Sequence, residues 1–211
     1  ADKIIIPDNL RKFYTEKIIF LPNTYQPNDN TRRISKIITN RSNFNLPSEG
    51  VVFCSFNNNY KITSSEFKIW MRVLKKVDNS VLWLLKSNQW AEQNLTIEAK
   101  KRKVNKNRII FAEKLSPDKH LERHKHADLF LDTFNCNAHT TASDSLWSGL
   151  PVVTKTGSQF AARVASSLLS SIGLSDLITR NETEYENLIL ELGQNVKKLE
   201  HLKKRLKNNL K

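Results

Sequence analysis

Short apolar runs alternate with stretches of helical periodicity from residue 47 onward, and this alternation constrains the fold more than any other feature. Five runs have the length and composition of strands that are covered on both faces, namely VVFCSF (51–56), VLWLLK (81–86), RIIFA (108–112), DLFLDT (128–133) and PVVTK (151–155). A strand–helix unit repeated five times predicts an α/β fold with a doubly wound parallel sheet of the Rossmann-like type.

The ends of the helical stretches carry residues that start or stop helices. Thr63 and Glu66 have the spacing of a capping box, and Ser116 stands before Pro117 as an N-cap residue does before a first-turn proline. The sequence predicts helices over 63–77, 90–102, 116–127, 140–147 and 158–173, and helical segments from 181 to the end.

The order of the strands predicts where a ligand would bind. In the common order 3-2-1-4-5, the first and fourth strands are neighbours, and ligands bind beyond the carboxyl ends of the strands at that point. The loop after the first strand reads NNNYK (57–61), and the loop after the fourth reads NCNAHTT (135–141). We therefore expect two polar loops to face each other across one crevice.

Composition places the chain among soluble globular proteins, with 39% hydrophobic and 26% charged residues. Residues 1–46 lack a long amphipathic helix and do not resemble a self-sufficient domain. We expect the sheet domain to cover 47–190 and a basic helix to cover 191–211.

No apolar run approaches the about 18 residues that span a bilayer. Because the two cysteines lack metal-ligand spacing and no secretory signal precedes them, a reducing cytoplasm is the simplest location.

The net charge of +13 raises the question of nucleic-acid binding. Two segments, 100–108 and 197–211, carry +6 each, which leaves +1 for the rest of the chain. Charge confined to one surface turn and one terminal helix is more typical of solvated faces, or of a contact with another part of a longer protein. We therefore expect neither nucleic acid nor a membrane as a partner, and a basic interaction module stays an alternative.

The segment AHTTASD opens the predicted helix 140–147 with an unusual number of polar groups. The backbone N–H groups of Thr140 and Thr141, with their hydroxyls, suit a phosphate or diphosphate, because a helix N-terminus has unpaired donors and a partial positive charge. Asp144 could accept hydrogen bonds from ribose hydroxyls. Alternatively, one threonine only caps the helix and Asp144 complements its dipole, but this leaves His139 unexplained.

Lys61 follows the first strand and is the cation that could meet a leaving diphosphate in the crevice. Asn58 is a weaker candidate, since asparagines are common in turns. A single lysine is more often a solvated surface residue. The expected position of Lys61 opposite Thr140 and Thr141 is what makes it a candidate.

His120, Arg123 and His124 are three and four residues apart and share a helical face after the third strand. His120 could stack on a base and Arg123 could donate to a base carbonyl. The alternative is a charged, solvent-exposed face, which we expect for His124 and His126. A metal site is disfavoured because no carboxylate or cysteine has ligand spacing. The motifs GxGxxG, GxxxxGK[ST] and GxSxG are absent.

Six segments together resemble the C-terminal catalytic lobe of O-GlcNAc transferase, which transfers N-acetylglucosamine from UDP-GlcNAc to Ser or Thr of proteins. In order, they are FNNNYKI, SVLWLL, NRIIF, HLERHKHADLFLDT, NAHTTASDSLWSGLPVVT and ARVASSLL. The upstream stretch YTEKIIFLPNTYQPND is similar to bacterial members of the family that carry tetratricopeptide repeats. The resemblance covers most of residues 14–190.

The resemblance implies a two-lobed fold of the GT-B type, an inverting mechanism without metal or other cofactor, and a C-terminal lobe that holds UDP. Lys61 matches the lysine that stabilises the leaving diphosphate, and Asn58 stands where the family has a glutamine near the phosphates. The segment His139, Thr140 and Thr141 matches the diphosphate-binding segment.

The resemblance also implies the contacts to the nucleoside. Asp144 matches the acid that binds ribose, His120 the residue that stacks near uracil, and Arg123 a residue beside the base. The backbone of Leu115 matches the position that reads the uracil edge. Pro117 departs from the pattern, because animal enzymes have a nucleotide-contacting lysine there, and this puts one base or ribose contact in doubt.

In the family, tetratricopeptide repeats and a first catalytic lobe precede this region and bind the protein acceptor. The resemblance thus implies that residues 1–46 are the tail of that first lobe. We expect the chain to be the donor-binding half of a longer enzyme, to bind UDP weakly, and to transfer no sugar by itself. A transferase for another sugar or acceptor, or a nucleotide-binding module without turnover, stays an alternative, since base and ribose contacts do not report on the sugar.

Overall fold

A six-stranded parallel sheet forms the centre of the chain in a computed structural model, which describes residues 1–210. The strands are β1 (Val52–Ser55), β2 (Val81–Leu85), β3 (Ile109–Ala112), β4 (Leu129–Leu131), β5 (Val152–Lys155) and β6 (Ile178–Thr179). Their order is β3-β2-β1-β4-β5-β6, and every neighbouring pair is parallel. The predicted α/β class and the order of the first five strands are confirmed, and β6 is an addition at the edge.

The central strands are covered on both faces, which explains why they read as unbroken apolar runs. All four residues of β1 are buried. Cys54, in its middle, is in register with Trp83 of β2 on one side and Phe130 of β4 on the other. The core therefore lies along both faces of β1, β2 and β4, and the loops that follow these strands emerge together at one edge.

Seven α-helices within residues 1–210 flank the sheet: α1 (Ser64–Lys76), α2 (Gln89–Lys101), α3 (Pro117–Arg123), α4 (Thr140–Trp147), α5 (Val164–Ser171), α6 (Glu182–Gln194) and α7 (Val196–Asn209). The predicted capping box opens α1, where the Thr63 amide donates to Glu66 at 2.7 Å. In α7, three leucines are buried, while Lys204 and Lys207 are exposed. None of the helices in residues 1–210 is both long enough and apolar enough to cross a membrane.

Two predicted helices are shorter than the sequence indicated. The helix predicted over 116–127 ends at Arg123 and continues as a 3-10 turn from His124 to His126. The helix predicted over 158–173 begins at Val164, after a separate 3-10 turn from Phe160 to Ala162. That turn closes on Gly157, whose amide donates to the Ala162 carbonyl at 2.7 Å, so the chain cannot be helical from residue 158.

The expectation that His124 and His126 lie on a solvent-exposed face is wrong, because both side chains are buried. The His124 ring packs edge-on against Phe56 at 5.1 Å between centroids. The His126 ring contacts Phe44 at 5.3 Å and its Nε2 lies 2.7 Å from the Thr39 hydroxyl. Residues 1–46, here called the amino-terminal segment, cover His126 through Thr39 and Phe44, whereas Phe56, which follows β1, covers His124. Sequence periodicity alone does not show such long-range cover.

Residues 1–46 pack along the sheet domain, and Ile5, Ile6 and Leu46 join its hydrophobic core. The buried Asp2 accepts a hydrogen bond from the Ser167 hydroxyl of α5 at 2.7 Å. At the other end of the sheet domain, α6 passes residue 190 without a break. The division into parts at 46/47 and 190/191 stays a prediction.

Candidate functional site

The loops that follow β1 and β4 meet at the carboxyl edge of the sheet. Buried Asn57, two residues after the end of β1, donates from Nδ2 to the Thr133 hydroxyl at 2.9 Å and to Asp132 Oδ1 at 3.3 Å. Lys61 Nζ donates across the crevice to the Asn137 carbonyl oxygen at 3.0 Å. The structure therefore places the ammonium of Lys61 on the same side of the sheet as the loop that leads into α4.

Lys61 ends a one-turn 3-10 helix from Asn59 and is half-buried. Its charge also acts on His139, whose pKa is lowered mainly by burial and further by the nearby Lys61 ammonium. His139 Nε2 donates to the Ala161 carbonyl at 3.1 Å, so its Nδ1 is an acceptor in the neutral ring. Lys61 is thus the cation and His139 the neutral neighbour in this part of the crevice.

In the part of the chain that the structure describes, no side chain caps the amino end of α4. His139 is the N-cap residue, and its carbonyl accepts from the amides of Ala142 and Ser143 at 3.1 Å each. The alternative that Thr140 or Thr141 only caps the helix is therefore not what the structure shows. The first N–H groups of a helix have no intrahelical partner and carry partial positive charge, so this end is suited to an anion.

The two threonines differ in what they offer to a ligand. The Thr141 hydroxyl donates to Asn57 Oδ1 at 2.6 Å, so its proton is already used within the protein. Thr140 is exposed at the first helical position. We therefore expect Thr141 to contribute mainly its backbone N–H to a phosphate, and Thr140 to contribute both N–H and hydroxyl.

The sequence pointed to Asn58, but the structure gives the larger local role to its neighbour Asn57. Asn58 is exposed, and its carbonyl accepts from the Lys61 amide at 2.9 Å in the 3-10 turn. Asn57 is 1% exposed and links the end of β1 to the end of β4 and to α4. Its position directly after an unbroken apolar run is the sequence signal that could have identified it.

Asp132 at the end of β4 is a second residue that the sequence analysis missed. Its carboxylate accepts from the Thr154 hydroxyl at 2.6 Å, from the amides of Thr133 and Ala138 at 2.8 and 2.6 Å, and from Asn57. Complete burial nevertheless raises the pKa of Asp132 to about 7. These bonds fix the turn that carries Asn137 and His139 toward α4.

Changing Asp132 to asparagine should alter how stability depends on pH. The pKa of Asp132 is about 7 in the folded protein and 3.8 ordinarily, so the folded state holds this proton more tightly than the unfolded state. The resulting stabilisation is complete below pH 3.8 and is lost as pH rises through 7. We expect wild type to lose about 1–3 kcal/mol more than Asp132→Asn between pH 5 and pH 8. Urea denaturation at both pH values measures the free energy of unfolding. Since both proteins contain the same histidines, the contribution of the histidines to the pH dependence cancels in the comparison. Equal losses in the two proteins would contradict the assignment.

His120 and Arg123 lie together at the other end of the crevice. Arg123 is 1% exposed and donates to the Glu113 carbonyl and to His120 Nδ1, while its guanidinium lies 4.5 Å from the centroid of Phe56. Burial lowers the pKa of Arg123 to about 10 and that of His120 to about 3. His120 is therefore neutral at pH 7, with its proton on Nε2.

The guanidinium of Arg123 is used largely within the protein, and among residues 1–210 its Nε has no hydrogen-bond partner. The contact of Arg123 with a base carbonyl stays a prediction. Leu115, expected to read a base edge, lies between β3 and α3 and is 39% exposed. It lines a cavity of about 220 Å³ together with Phe44, Lys119 and others.

Asp144, expected to bind ribose, is 6% exposed and forms an ion pair with Arg32 of the amino-terminal segment. The sequence analysis did not single out Arg32, because no local pattern connects residues 112 positions apart. In the described part of the chain, no three His, Cys, Asp or Glu side chains are grouped so that they could hold a metal ion.

Comparisons with known proteins identify a family that matches most of the chain. The sequence model of glycosyl transferase family 41 matches residues 28–210. The UDP-N-acetylglucosamine–peptide N-acetylglucosaminyltransferase of Caenorhabditis elegans is 35% identical over 80% of this chain and 15% of its own length. The probable enzyme of the same name, SEC, from Arabidopsis thaliana is 34% identical over 98% of this chain and 22% of its own length.

Solved structures also match this fold. A mutant of the O-GlcNAc transferase of Thermobaculum terrenum superposes with a TM-score of 0.88 and 26% identity, over all of this chain and 40% of that one. HepE of Anabaena, solved with UDP and glucose, gives 0.57 at 14% identity over 79% of this chain and 44% of that one, which shows a shared fold. This chain spans 15% of the length of one curated relative and 22% of the length of the other. Because the family model covers nearly all of the sheet and its helices, the chain belongs to glycosyl transferase family 41.

Proposed function

We propose that the chain is the UDP-GlcNAc-binding half of a protein O-GlcNAc transferase. The observation that supports this most is the position of Lys61, whose ammonium reaches across the crevice to the loop leading into the uncapped N-terminus of α4. A cation facing a helix N-terminus is an arrangement suited to a diphosphate. The names of the curated relatives supply the sugar and the peptide acceptor in this proposal.

The proposed reaction is an inverting displacement at the anomeric carbon of the sugar. A bond forms from the Ser or Thr hydroxyl oxygen to that carbon as the bond from the carbon to the diphosphate oxygen breaks. Negative charge then grows on the departing UDP, where Lys61 and the first N–H groups of α4 would offset it. These groups supply the positive charge in the proposal, which includes no metal or other cofactor.

The protein acceptor would bind through tetratricopeptide repeats and a first catalytic lobe, as the family resemblance implies. The chain of residues 1–211 would then bind the donor and transfer no sugar by itself. A cytoplasmic location belongs to the same proposal, and it is supported by Cys54 and Cys136, which are both free thiols.

Calorimetry with UDP, UDP-GlcNAc, UDP-glucose and ADP tests the proposal. We expect UDP and UDP-GlcNAc to bind, and ADP to bind at least about tenfold more weakly because its base cannot make the same contacts. Equal affinity for UDP-glucose and UDP-GlcNAc would support a transferase for another sugar. Two other results would favour the basic interaction module instead. In one, UDP does not bind; in the other, heparin displaces UDP at low ionic strength and the chain shows no preference for uridine nucleotides over ADP.

A further inference from the structure

Residues 24–39, here called the crossing segment, run over three helices of the sheet domain. The Thr24 and Ser167 hydroxyls lie 2.8 Å apart, which ties the segment to α5. Further along, the Ser35 amide donates to the Asp118 carbonyl of α3 at 3.1 Å. Since both ends are attached to the domain, the middle of the segment has a defined position over α4.

Arg32 lies in the middle of the crossing segment and is held to α4 at two points. Its guanidinium pairs with Asp144 through Oδ1, and its own carbonyl oxygen accepts from Trp147 Nε1 at 3.2 Å. Asp144 and Trp147 are three residues apart and therefore share one face of α4. Upstream, Gln26 Nε2 donates to the Ser143 hydroxyl on the same helix at 3.1 Å.

Arg32 also lies near α3, on the side where the nucleoside is proposed to bind. Burial is the main cause of the low pKa of His120, and the charge of Arg32 adds to those of its helix neighbours in lowering it. One side chain thus pairs with the carboxylate proposed for ribose, and its charge also acts on the imidazole proposed for uracil. Arg32 is therefore bonded to the group that would bind the sugar of a nucleoside, and its charge acts on the group that would bind the base.

The pairing leaves part of the carboxylate of Asp144 available. Arg32 bonds Oδ1, and no donor within residues 1–210 bonds Oδ2. A carboxylate that is held at one oxygen presents the other in a fixed direction, so less conformational entropy is lost when a ligand hydroxyl donates to it. The side chain of Asp144 is 9% exposed, which leaves a small part of the group open to such a ligand.

We propose that Arg32 is a positioning residue that holds Asp144 so that its free oxygen accepts a hydrogen bond from a ribose hydroxyl. The ligand class is a pyrimidine ribonucleoside diphosphate, and the pair would discriminate it from the deoxy form. This inference rests on the proposed function, because it takes the crevice to be a nucleotide site. It adds a residue of the amino-terminal segment to that site.

Affinities for UDP and for 2′,3′-dideoxy-UDP, measured by calorimetry on the 211-residue chain, test the inference. We expect wild type to bind UDP about 10–100-fold more tightly than the dideoxy compound, as for a hydrogen bond to a charged group. Arg32→Ala should reduce this preference below about threefold. Arg33→Ala removes the same charge from the adjacent, exposed position and should leave the preference unchanged. The ratio of two affinities does not depend on how much of a variant is folded.

The double variant shows whether the two residues act together. Asp144→Ala should abolish the preference for UDP, and adding Arg32→Ala should change it no further. An unchanged preference in Arg32→Ala, or tighter UDP binding because the arginine blocks the crevice, would overturn the inference. If UDP fails to bind wild type, the proposed function fails as well. If UDP binds wild type and Lys61→Ala weakens it while Arg32→Ala keeps the preference, only the role of Arg32 is refuted.

Discussion

Replacing Lys61 with methionine is expected to weaken UDP binding by about 10–100-fold, the usual range for losing one charge-assisted hydrogen bond to phosphate. Methionine keeps most of the side-chain length and removes the charge. Lys61 lies beside the loop that opens α4, where the diphosphate is proposed to bind. Binding of uridine, which lacks the phosphates, should change less than about twofold. Calorimetry with the two ligands measures both effects.

A matched control separates this local effect from the loss of net charge. Lys75 is exposed near the end of α1, and Lys75→Met removes the same charge without touching the crevice. Its UDP affinity should equal that of wild type at 0.15 M salt, where charges farther apart than about 8 Å are screened. Equal losses in both variants, or an equal loss for uridine and UDP in Lys61→Met, would show that Lys61 does not contact the diphosphate.

Gly50→Ala should be among the most destabilising single changes in the chain, with a loss of about 2–5 kcal/mol in the free energy of unfolding. Gly50 precedes β1 with φ +90°, a conformation that side chains disfavour. A Cβ atom there would lie 1.9 Å from the carbonyl oxygen of Asn79, which is backbone and cannot rotate away. The strand β1 would have to shift, and both sides of the crevice depend on it.

Gly149→Ala is the control for the backbone conformation alone. Gly149 has a similar φ of +79°, but a Cβ atom there would meet nothing within 4 Å. We expect a loss of about 1–2 kcal/mol, so the difference between the two variants isolates the contact with Asn79. Urea unfolding followed by circular dichroism measures both. Equal losses would mean that the turn before β1 relaxes without cost.

The strands of the centre were predictable because they are buried on both faces. An unbroken apolar run such as β1 needs neither a partner nor a ligand to be recognised. The common strand order makes β1 and β4 neighbours, so the loops that follow them must meet. This is why the sequence could place Lys61 and His139 in one crevice. In contrast, β6 has two residues and one hydrogen-bonded neighbour, which is too short to leave a pattern.

The polar contacts behind the crevice were less predictable. Asn57 and Asp132 are hydrogen-bonded although they lie 75 positions apart, and nothing in the sequence near either residue specifies the other. The pair of Arg32 and Asp144 has the same character. The burial of His124 was mispredicted because the helical period shows which face is polar, but not whether another segment covers that face.

The attachment of the amino-terminal segment has a consequence for the order in which the protein folds. Asp2 and Ser167 are separated by 165 residues, and Thr39 and Glu122 by 83. Contacts so distant along the chain form slowly, since a long loop must close before they are gained. During synthesis, Asp2 also leaves the ribosome long before α5 exists. The contacts that hold the crossing segment over α4 are completed only after most of the sheet has been translated.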